Sequence, residues 1–318
     1  MKSLLNVTSS PHIKHPDTTR GIMLDVIIAL LPACVWGCIL FGLRAAIILL
    51  TCVASAVLCE YLWNLILKKP TTIGDLSAIV TGLLLGMNLS SELPIWMAAI
   101  GSAVAIIVVK QMFGGIGCNF ANPAIAARIV LLVSFPAAMT RYVEPIEHIV
   151  STATPLAALS GDMDVLNAPI TLKNLFFGMH SGCIGETSAF LLIAGGVYLV
   201  IRRVISPIIP LSFIGTVTLL SLIGGDKLSV AVFGGGLMLG AIFMATDYTT
   251  SPTTKWGKLI FGIGCGLLTF VIRKFAALPE GISYSILLMN ILVPYINRLT
   301  IKKPFGFVKP QKEVKADE

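Results

Sequence analysis

The sequence predicts an all-α polytopic membrane protein. Of its 318 residues 56% are hydrophobic and only 12% are charged, whereas soluble domains carry about 25% charged residues. Mean hydropathy is +0.89, and apolar runs that approach the roughly 20 residues needed for a membrane span recur along the chain. We therefore predict about ten transmembrane helices and one long extracytoplasmic loop, with an internal duplication as a further hypothesis.

The apolar runs set the predicted domain organisation. The ten spans are placed at residues 22–42, 45–67, 76–90, 94–109, 122–138, 188–201, 207–223, 230–245, 258–272 and 281–297. The domains are a cytoplasmic tail at 1–20, a transmembrane domain at 21–299 with an extracytoplasmic loop at about 139–187, and a cytoplasmic tail at 300–318. The first twenty residues are polar, so we expect the first apolar run to stay in the membrane rather than act as a cleaved signal.

The basic residues predict the orientation. An even number of spans puts both termini on one side, and basic residues accumulate on the cytoplasmic side of membrane proteins. Sixteen fall on the terminal side: Lys2, Lys14, Arg20, Lys68, Lys69, Lys110, Arg202, Arg203, Lys255, Lys258, Arg298, Lys302, Lys303, Lys309, Lys312 and Lys315. Six fall on the other: Arg44, Arg141, Lys173, Lys227, Arg273 and Lys274. We therefore expect cytoplasmic termini, and interpret the net charge of +7 as topology in the lipid bilayer rather than as nucleic-acid binding.

Four charged residues lie within predicted spans or at the end of one, where ionisable groups are costly. They are Asp25, Glu60, Arg128 and Asp247. One interpretation is an internal ion pair between Arg128 and one of the acids. The other is a cation path through one or more carboxylates, with Glu60 first because it lies farther from a hydrated boundary than Asp25 or Asp247.

Two loops share a helix-start pattern. Gly114–Pro123 precedes the fifth span and Thr246–Pro252 leads towards the ninth. In each, a capping side chain followed by proline predicts a helix that begins at the proline. Their similarity is the basis for the duplication hypothesis, and Asn122-Pro123-Ala124, although similar to an aquaporin tripeptide, is interpreted as a cap.

The seven cysteines argue against a metal centre. They are scattered, mostly within apolar runs, and form no C-x-x-C pair. We predict no iron–sulfur or zinc site and no catalytic residue within this chain. Cys183 differs from the others because we expect it in an exposed turn.

That turn, Ser181–Ala189, opens into the apolar run 190–200. The residues alone favour Thr187 or Ser188 as a helix N-cap, although a helix N-terminus after two glycines also suits a phosphate. Just before it, residues 170–179 carry Phe176-Phe177 and predict a short interfacial helix.

With these motifs, the chain resembles the D subunits of bacterial Rnf complexes and, more distantly, the B subunit of the sodium-pumping NADH:quinone reductase. The resemblance is carried by Pro11-His12 in the basic tail, Gly114–Pro123, Gly185-Glu186-Thr187-Ser188 and Asp247–Pro252. It implies FMN attached to Thr187 through a phosphoester bond, with Gly185, Glu186 and Ser188 around it. A separate flavin transferase attaches the flavin, on the outer side of the membrane, where the basic-residue distribution also places Thr187.

The resemblance implies three further properties. The distant relative binds a non-covalent riboflavin near the positions of Asn119 and Asn122, and whether this chain keeps that flavin is left open. The implied function is electron transfer between ferredoxin and NAD with coupled Na⁺ or H⁺ translocation in the bacterial inner membrane. The substrate sites and clusters belong to other subunits, so the chain is not an enzyme alone. The rival hypothesis is a cofactor-free secondary transporter or channel.

Overall fold

The computed structural model describes residues 18–143, 145, 172–186, 188–276 and 281–301. Thr187, most of both predicted tails and most of the predicted extracytoplasmic loop lie outside the described residues. Helices account for the regular structure in the described part of the chain, as the sequence predicts. They are α1 (Thr19–Phe41), α2 (Leu43–Ile66), α3 (Ser77–Met87), α4 (Ile95–Gln111), α5 (Pro123–Ser134), α6 (Pro136–Met139), α7 (Leu172–Phe177), α8 (Ala189–Ile201), α9 (Ile208–Gly224), α10 (Leu228–Phe233), α11 (Leu237–Leu239), α12 (Lys255–Phe275) and α13 (Ile282–Thr300).

Each of the ten predicted spans coincides with helical structure, but the helices differ in length. In the described part of the chain, four are long and apolar enough to cross a membrane by themselves: α1, α2, α12 and α13. Five others, α3, α4, α5, α8 and α9, are apolar but shorter. The chain is a multi-pass membrane protein that combines long helices with short ones.

Proline and glycine break two of the predicted spans. The predicted fifth span ends early at Phe135, because Pro136 disfavours helical backbone in the residue before it and begins the separate helix α6. The predicted eighth span is interrupted at Gly234–Gly236. There Gly234 is extended and Gly235 has a φ of 69°, a left-handed conformation that glycine adopts without strain.

Two stretches are π-helical rather than α-helical. Val104–Gln111 forms the second half of α4, and Gly240–Met244 continues α11. Such stretches are rare and often lie at functional sites. Lys110 of the first and Phe243 of the second line the same cavity.

The helices form one packed bundle in which α1 contacts α8, α5 contacts α13, α2 contacts α3 and α4, and α9 contacts α12. The pentapeptides Gly-Leu-Leu-Leu-Gly at 82–86 and Gly-Leu-Met-Leu-Gly at 236–240 both lie on the short segments, α3 and α11. This match is a more direct sign of duplication than the similarity of the two proline-containing loops.

The prediction of a helix that begins at Pro252 is wrong. Helix α12 begins at Lys255, and its N-cap is Thr254, whose hydroxyl accepts a hydrogen bond from Gly257 N at 3.0 Å. The corresponding prediction at Asn122-Pro123 is confirmed, since α5 begins at Pro123.

Candidate functional site

The turn before α8 is inserted into the bundle and bonded to the end of α3. Ile184 N donates to Leu89 O at 3.0 Å, and Gly185 N donates to Met87 O at 2.7 Å. A Cβ on Gly185 would lie 2.5 Å from Met87 Cβ. The contact is therefore close enough that only glycine fits without a shift of α3.

The expectation that this turn is exposed is wrong for its described residues. Cys183 is 1% exposed, Ile184 is fully buried and Glu186 is 3% exposed. The reason is the pairing with α3, which carries the turn into the core, where an apolar cysteine and isoleucine are stabilised. Thr187 itself lies outside the described residues.

A buried ion pair holds the turn to α5. The guanidinium of Arg128 lies 3.6 Å from Glu186 Oε1, and both side chains are nearly inaccessible. Arg128 also donates to Asn88 Oδ1 at 2.9 Å and to Ser283 Oγ at 3.2 Å. The other oxygen of Glu186, Oε2, accepts from Cys183 N at 3.3 Å. Arg128 thus joins α5, the end of α3, the start of α13 and the turn.

The predicted pairing of Arg128 with an intramembrane acid is therefore wrong. Its carboxylate partner in the described part of the chain is Glu186, which the sequence places in a loop. Asp25 and Glu60 have other basic partners, Arg202 at 3.2 Å and Lys110 at 2.7 Å.

Ser188 is the N-cap of α8. Its hydroxyl accepts from Leu191 N at 3.3 Å. Of the two cap candidates that the sequence offers, the structure assigns the role to Ser188. Capping therefore gives no reason for a threonine at 187.

An aromatic cluster lies beside the start of α8. Phe176 contacts Phe177, Phe190 and Phe233 at centroid distances of 5.7 Å, and Phe177 contacts Phe190 at 6.3 Å. Phe176 and Phe177 belong to α7, so the predicted short helix is confirmed. Phe177 and Phe190 are each about half exposed.

A cavity of about 380 Å³ lies between α1, α3, α4, the loop before α5 and the segment after α11. Apolar side chains such as Val80, Leu84 and Phe243 form most of its wall. Its polar lining includes Ser77, Thr81, Lys110, Asn119, Asn122, Thr246, Asp247 and Thr249. A volume above about 300 Å³ with an apolar wall and few polar groups is typical of a small-molecule site.

The two predicted asparagines differ in their bonding. Asn122 Oδ1 caps α5 by accepting from Ala124 N at 3.0 Å, and its amide donates to Met244 O at 3.2 Å. Asn119 Oδ1 is buried and has no hydrogen-bond partner in the part of the chain that the structure describes. A buried acceptor without a donor is costly, so the cavity suits a largely apolar ligand that brings a hydrogen-bond donor.

Asp247 lies in the loop after the Gly240–Met244 segment and lines the same cavity. The hydroxyls of Thr249 and Thr250 donate to its Oδ2 at 3.0 and 3.2 Å. Burial raises the pKa of Asp247, and the bonds from the two hydroxyls partly oppose this.

The sequence of the chain is similar to known proteins along nearly its whole length. The family model described as "NQR2, RnfD, RnfE family" matches residues 6–306. The chain belongs to this family.

It is 48% identical to the D subunit of the "Na(+)-translocating ferredoxin:NAD(+) oxidoreductase complex" of Acetobacterium woodii, over 98% of each chain. It is 40% identical to the D subunit of the "Proton-translocating ferredoxin:NAD(+) oxidoreductase complex" of Clostridium ljungdahlii, over 96% of this chain and 97% of the relative. It is 38% identical to the D subunit of the "Ion-translocating oxidoreductase complex" of Stutzerimonas stutzeri, over 90% and 91%.

In this member of the NQR2, RnfD, RnfE family, the predicted residues separate into four places. Asn119, Asn122 and Asp247 share the cavity. Gly185, Glu186 and Ser188 lie in the turn on either side of Thr187. Glu60 forms an ion pair with Lys110, which lines the cavity. Asp25 pairs with Arg202 and accepts a hydrogen bond from the Tyr198 hydroxyl at 2.9 Å.

Sequence reasoning misses the burial of Lys110, the contact with Asn88 and the role of Arg128. The sequence places Lys110 in a cytoplasmic loop because it directly follows an apolar run, but it is only 2% exposed. Without it the basic residues still favour the terminal side by fifteen to six. A lone lysine at the end of an apolar run and an acid inside another span are the signals that could have indicated the pair.

Proposed function

We propose that this chain is the D subunit of an Rnf-type complex, which couples electron transfer between ferredoxin and NAD to the translocation of a cation. The observation that carries this is the 48% identity over nearly the whole chain with a subunit of that name. The names of two relatives differ in the cation, Na⁺ in one and the proton in the other. The proposal therefore leaves the coupling ion to experiment.

FMN is proposed to be attached covalently to Thr187 through a phosphoester bond, made by a flavin transferase. Three observations support this. Ser188, not Thr187, caps α8. The dipole of α8 favours negative charge next to its N-terminus, where a phosphodiester would lie. The residues before Thr187 are held in the bundle, because Gly185 is bonded to α3 and Glu186 is paired with Arg128.

The isoalloxazine ring of a bound flavin supplies the electron transfer, whereas the protein supplies position and electrostatics. Near the turn, Arg128 contributes a buried positive charge whose neutralising partner is Glu186. The burial of Cys183 and Glu186 limits the approach of a second protein. Attachment therefore requires that the Thr187 hydroxyl itself be within reach of the transferase.

The cavity is the proposed site of a second, non-covalent flavin, riboflavin. Asn119 Oδ1 needs a donor, and a flavin ring has one N–H group among its acceptors. Asn122 and Lys110 contribute N–H donors to the lining, and the acceptors of the flavin ring require donors of this kind.

The remaining parts of the proposal concern location and partners. The chain lies in the bacterial inner membrane with both termini in the cytoplasm, which places Thr187 on the outer side. Its partners are the other subunits of the complex. The ferredoxin and NAD sites belong to those subunits.

A denaturing gel viewed under ultraviolet light tests the covalent flavin, since only a covalently bound flavin remains on the unfolded chain. The intact mass of the chain, expressed with and without a flavin transferase, gives the stoichiometry. Fluorescence and an added FMN mass only in the presence of the transferase are expected. A dark band and unchanged mass in both cases would favour the rival hypothesis, a cofactor-free transporter or channel.

A further inference from the structure

A buried ammonium group occupies a pocket of oxygen atoms at the end of α4. Lys110 Nζ lies 2.7 Å from Glu60 Oε2 and 2.6 Å from Ser77 Oγ. The side chains of Lys110 and Glu60 are 2% and 0% exposed. Few lysines are buried to this degree, and each one needs a compensating partner.

The oxygen atoms around the ammonium continue to the protein surface. The hydroxyl of Thr72, an exposed residue, donates to Glu60 Oε1 at 2.6 Å. Ser77 Oγ donates to Asp75 Oδ1, also at 2.6 Å, and Asp75 is partly exposed. The hydrogen-bonded network thus runs from the buried Glu60 to Thr72 and Asp75, which are exposed and partly exposed.

The same oxygen atoms would suit an inorganic cation. Without the ammonium, the pocket keeps one carboxylate and the hydroxyls of Thr72 and Ser77, which are ligands that hard cations prefer. A proton on the Glu60 carboxylate would satisfy the same charge requirement. A monovalent cation, Na⁺ or H⁺, can therefore replace Lys110 without leaving an uncompensated buried charge.

The Lys110 ammonium also borders an open space. Both Lys110 and Ser77 line the 380 Å³ cavity, so the ammonium lies at the boundary between the oxygen pocket and the cavity. A lysine side chain has a flexible four-carbon stem. The residue lies in the π-helical half of α4, whose irregular hydrogen bonding is often found at functional sites.

We propose that Lys110 is a tethered counter-cation that competes with the transported cation for Glu60. When Lys110 is paired, it occupies the oxygen pocket and excludes the cation. When an electron supplied by the proposed electron transfer places negative charge on a group bound in the cavity, the ammonium turns towards that charge, and a cation enters the pocket past Thr72 and Asp75. One cation replaces the other, so the net charge of the pocket does not change. The role in transport rests on the ion-translocating part of the proposed function.

A permanent ion pair is the alternative. The first measurement asks whether a cation can occupy the pocket once the ammonium is removed, and the transport measurement below separates exchange from a permanent pair. The test uses the purified complex carrying Lys110→Met, with thermal unfolding of this subunit measured in sodium chloride and in choline chloride at constant ionic strength, at pH 6 and pH 8. In this variant, the charged groups that remain in the pocket's hydrogen-bonded network are Glu60 and Asp75. If Na⁺ replaces the ammonium, Tm of the variant rises by several degrees in sodium over choline. If H⁺ replaces the ammonium, Tm of the variant is higher at pH 6 than at pH 8 in both salts.

The double variant Glu60→Gln/Lys110→Met is the control, because it removes both charges. Tm of the double variant should not show the dependence on sodium or on pH that is predicted for the single variant. Tm of the wild type should not show it either. A single variant that responds to neither sodium nor pH more than the double variant does would overturn the proposal. The double variant also keeps the test informative if the single variant does not assemble, because neutral replacement of a buried pair is commonly tolerated.

Transport gives the second measurement. Complexes with Glu60→Gln/Lys110→Met are reconstituted into vesicles, and cation uptake is divided by electrons transferred. A matched control neutralises the half-exposed pair of Asp226 and Lys274, which lie 3.6 Å apart, as Asp226→Asn/Lys274→Met. We expect uptake per electron to fall in the first variant and to be unchanged in the control. Unchanged uptake in the first variant overturns the proposal, whereas a wild-type complex that transfers electrons without ion uptake overturns the proposed function instead.

Discussion

Arg128 and Glu186 form a buried ion pair that joins the middle of α5 to the turn before α8. Their charged groups lie 3.6 Å apart, and their side chains are 4% and 2% exposed. Breaking such a pair leaves a buried charge without compensation, which costs about 3–5 kcal/mol. We therefore expect Arg128→Gln or Glu186→Gln to lower the free energy of unfolding by about that amount.

Thermal unfolding in detergent measures this prediction. The exposed pair between Arg44 and Glu92, at 2.7 Å, is the matched control, because exposed pairs contribute about 1 kcal/mol or less. Arg44→Gln should therefore shift Tm much less than Arg128→Gln. Equal shifts in the two variants would contradict a structural role for the buried pair.

Gly185 is expected to tolerate no side chain. A Cβ there would lie 2.5 Å from Met87 Cβ and 3.0 Å from Met87 O, and overpacking of this kind costs about 1–3 kcal/mol. Gly215 in α9 is the control, since a Cβ there meets no atom within 4 Å. Gly185→Ala should lower Tm, while Gly215→Ala should leave it unchanged or raise it, because alanine is about 0.5–1 kcal/mol better than glycine in a helix. A Gly185→Ala variant with the wild-type Tm would show that α3 and the turn are not in close contact.

Much of the fold is predictable from the sequence because membrane helices are long apolar runs. Each of the ten predicted spans falls on helical structure, and the cap at Asn122-Pro123 is found where the capping pattern predicts it. The break at Gly234–Gly236 is not predicted, because hydropathy averages over a window and does not register a local change of φ.

The site is less predictable because its partners are far apart in the chain. Arg128 and Glu186 are separated by 58 residues (186 − 128), and Lys110 and Glu60 by 50. Nothing in local spacing indicates which acid faces which base. A lysine next to an apolar run also has the same sequence pattern whether it is a boundary residue or a buried one.

The orientation in the membrane is testable with single cysteines. If the basic-residue distribution sets the topology, a cysteine at Asp162 should react with a membrane-impermeant thiol reagent in intact cells, and one at Lys255 should not. Labelling is detected by a mass shift of the isolated chain. The opposite pattern would place the Thr187 turn on the cytoplasmic side.

His180 predicts a dependence of stability on pH. Burial lowers its pKa, and its Nδ1 is bonded to Ser181 O at 3.2 Å. Below the ordinary histidine pKa of about 6.5, the unfolded chain takes up a proton that the folded chain does not. Stability should therefore be full above that pH and fall as the pH decreases towards the lowered pKa.

The measurement compares Tm of the wild type and of His180→Gln between pH 8 and pH 5. Glutamine cannot take up the proton, so the variant should lose less stability on acidification. A parallel decrease in both proteins would assign the pH dependence to other groups.

The last prediction separates the flavin role of Thr187 from the capping role of Ser188. Thr187→Ala removes the only hydroxyl to which we assign the phosphoester, and Ser188 still caps α8. The covalent flavin should therefore disappear with little change in Tm. Ser188→Ala removes the cap, at a cost of about 1 kcal/mol, and should keep the flavin. Peptide mass mapping locates the adduct in each variant. An FMN adduct on Thr187→Ala, or an adduct on Ser188 in the wild type, would refute the assignment, because the flavin would then be bound through a residue other than Thr187.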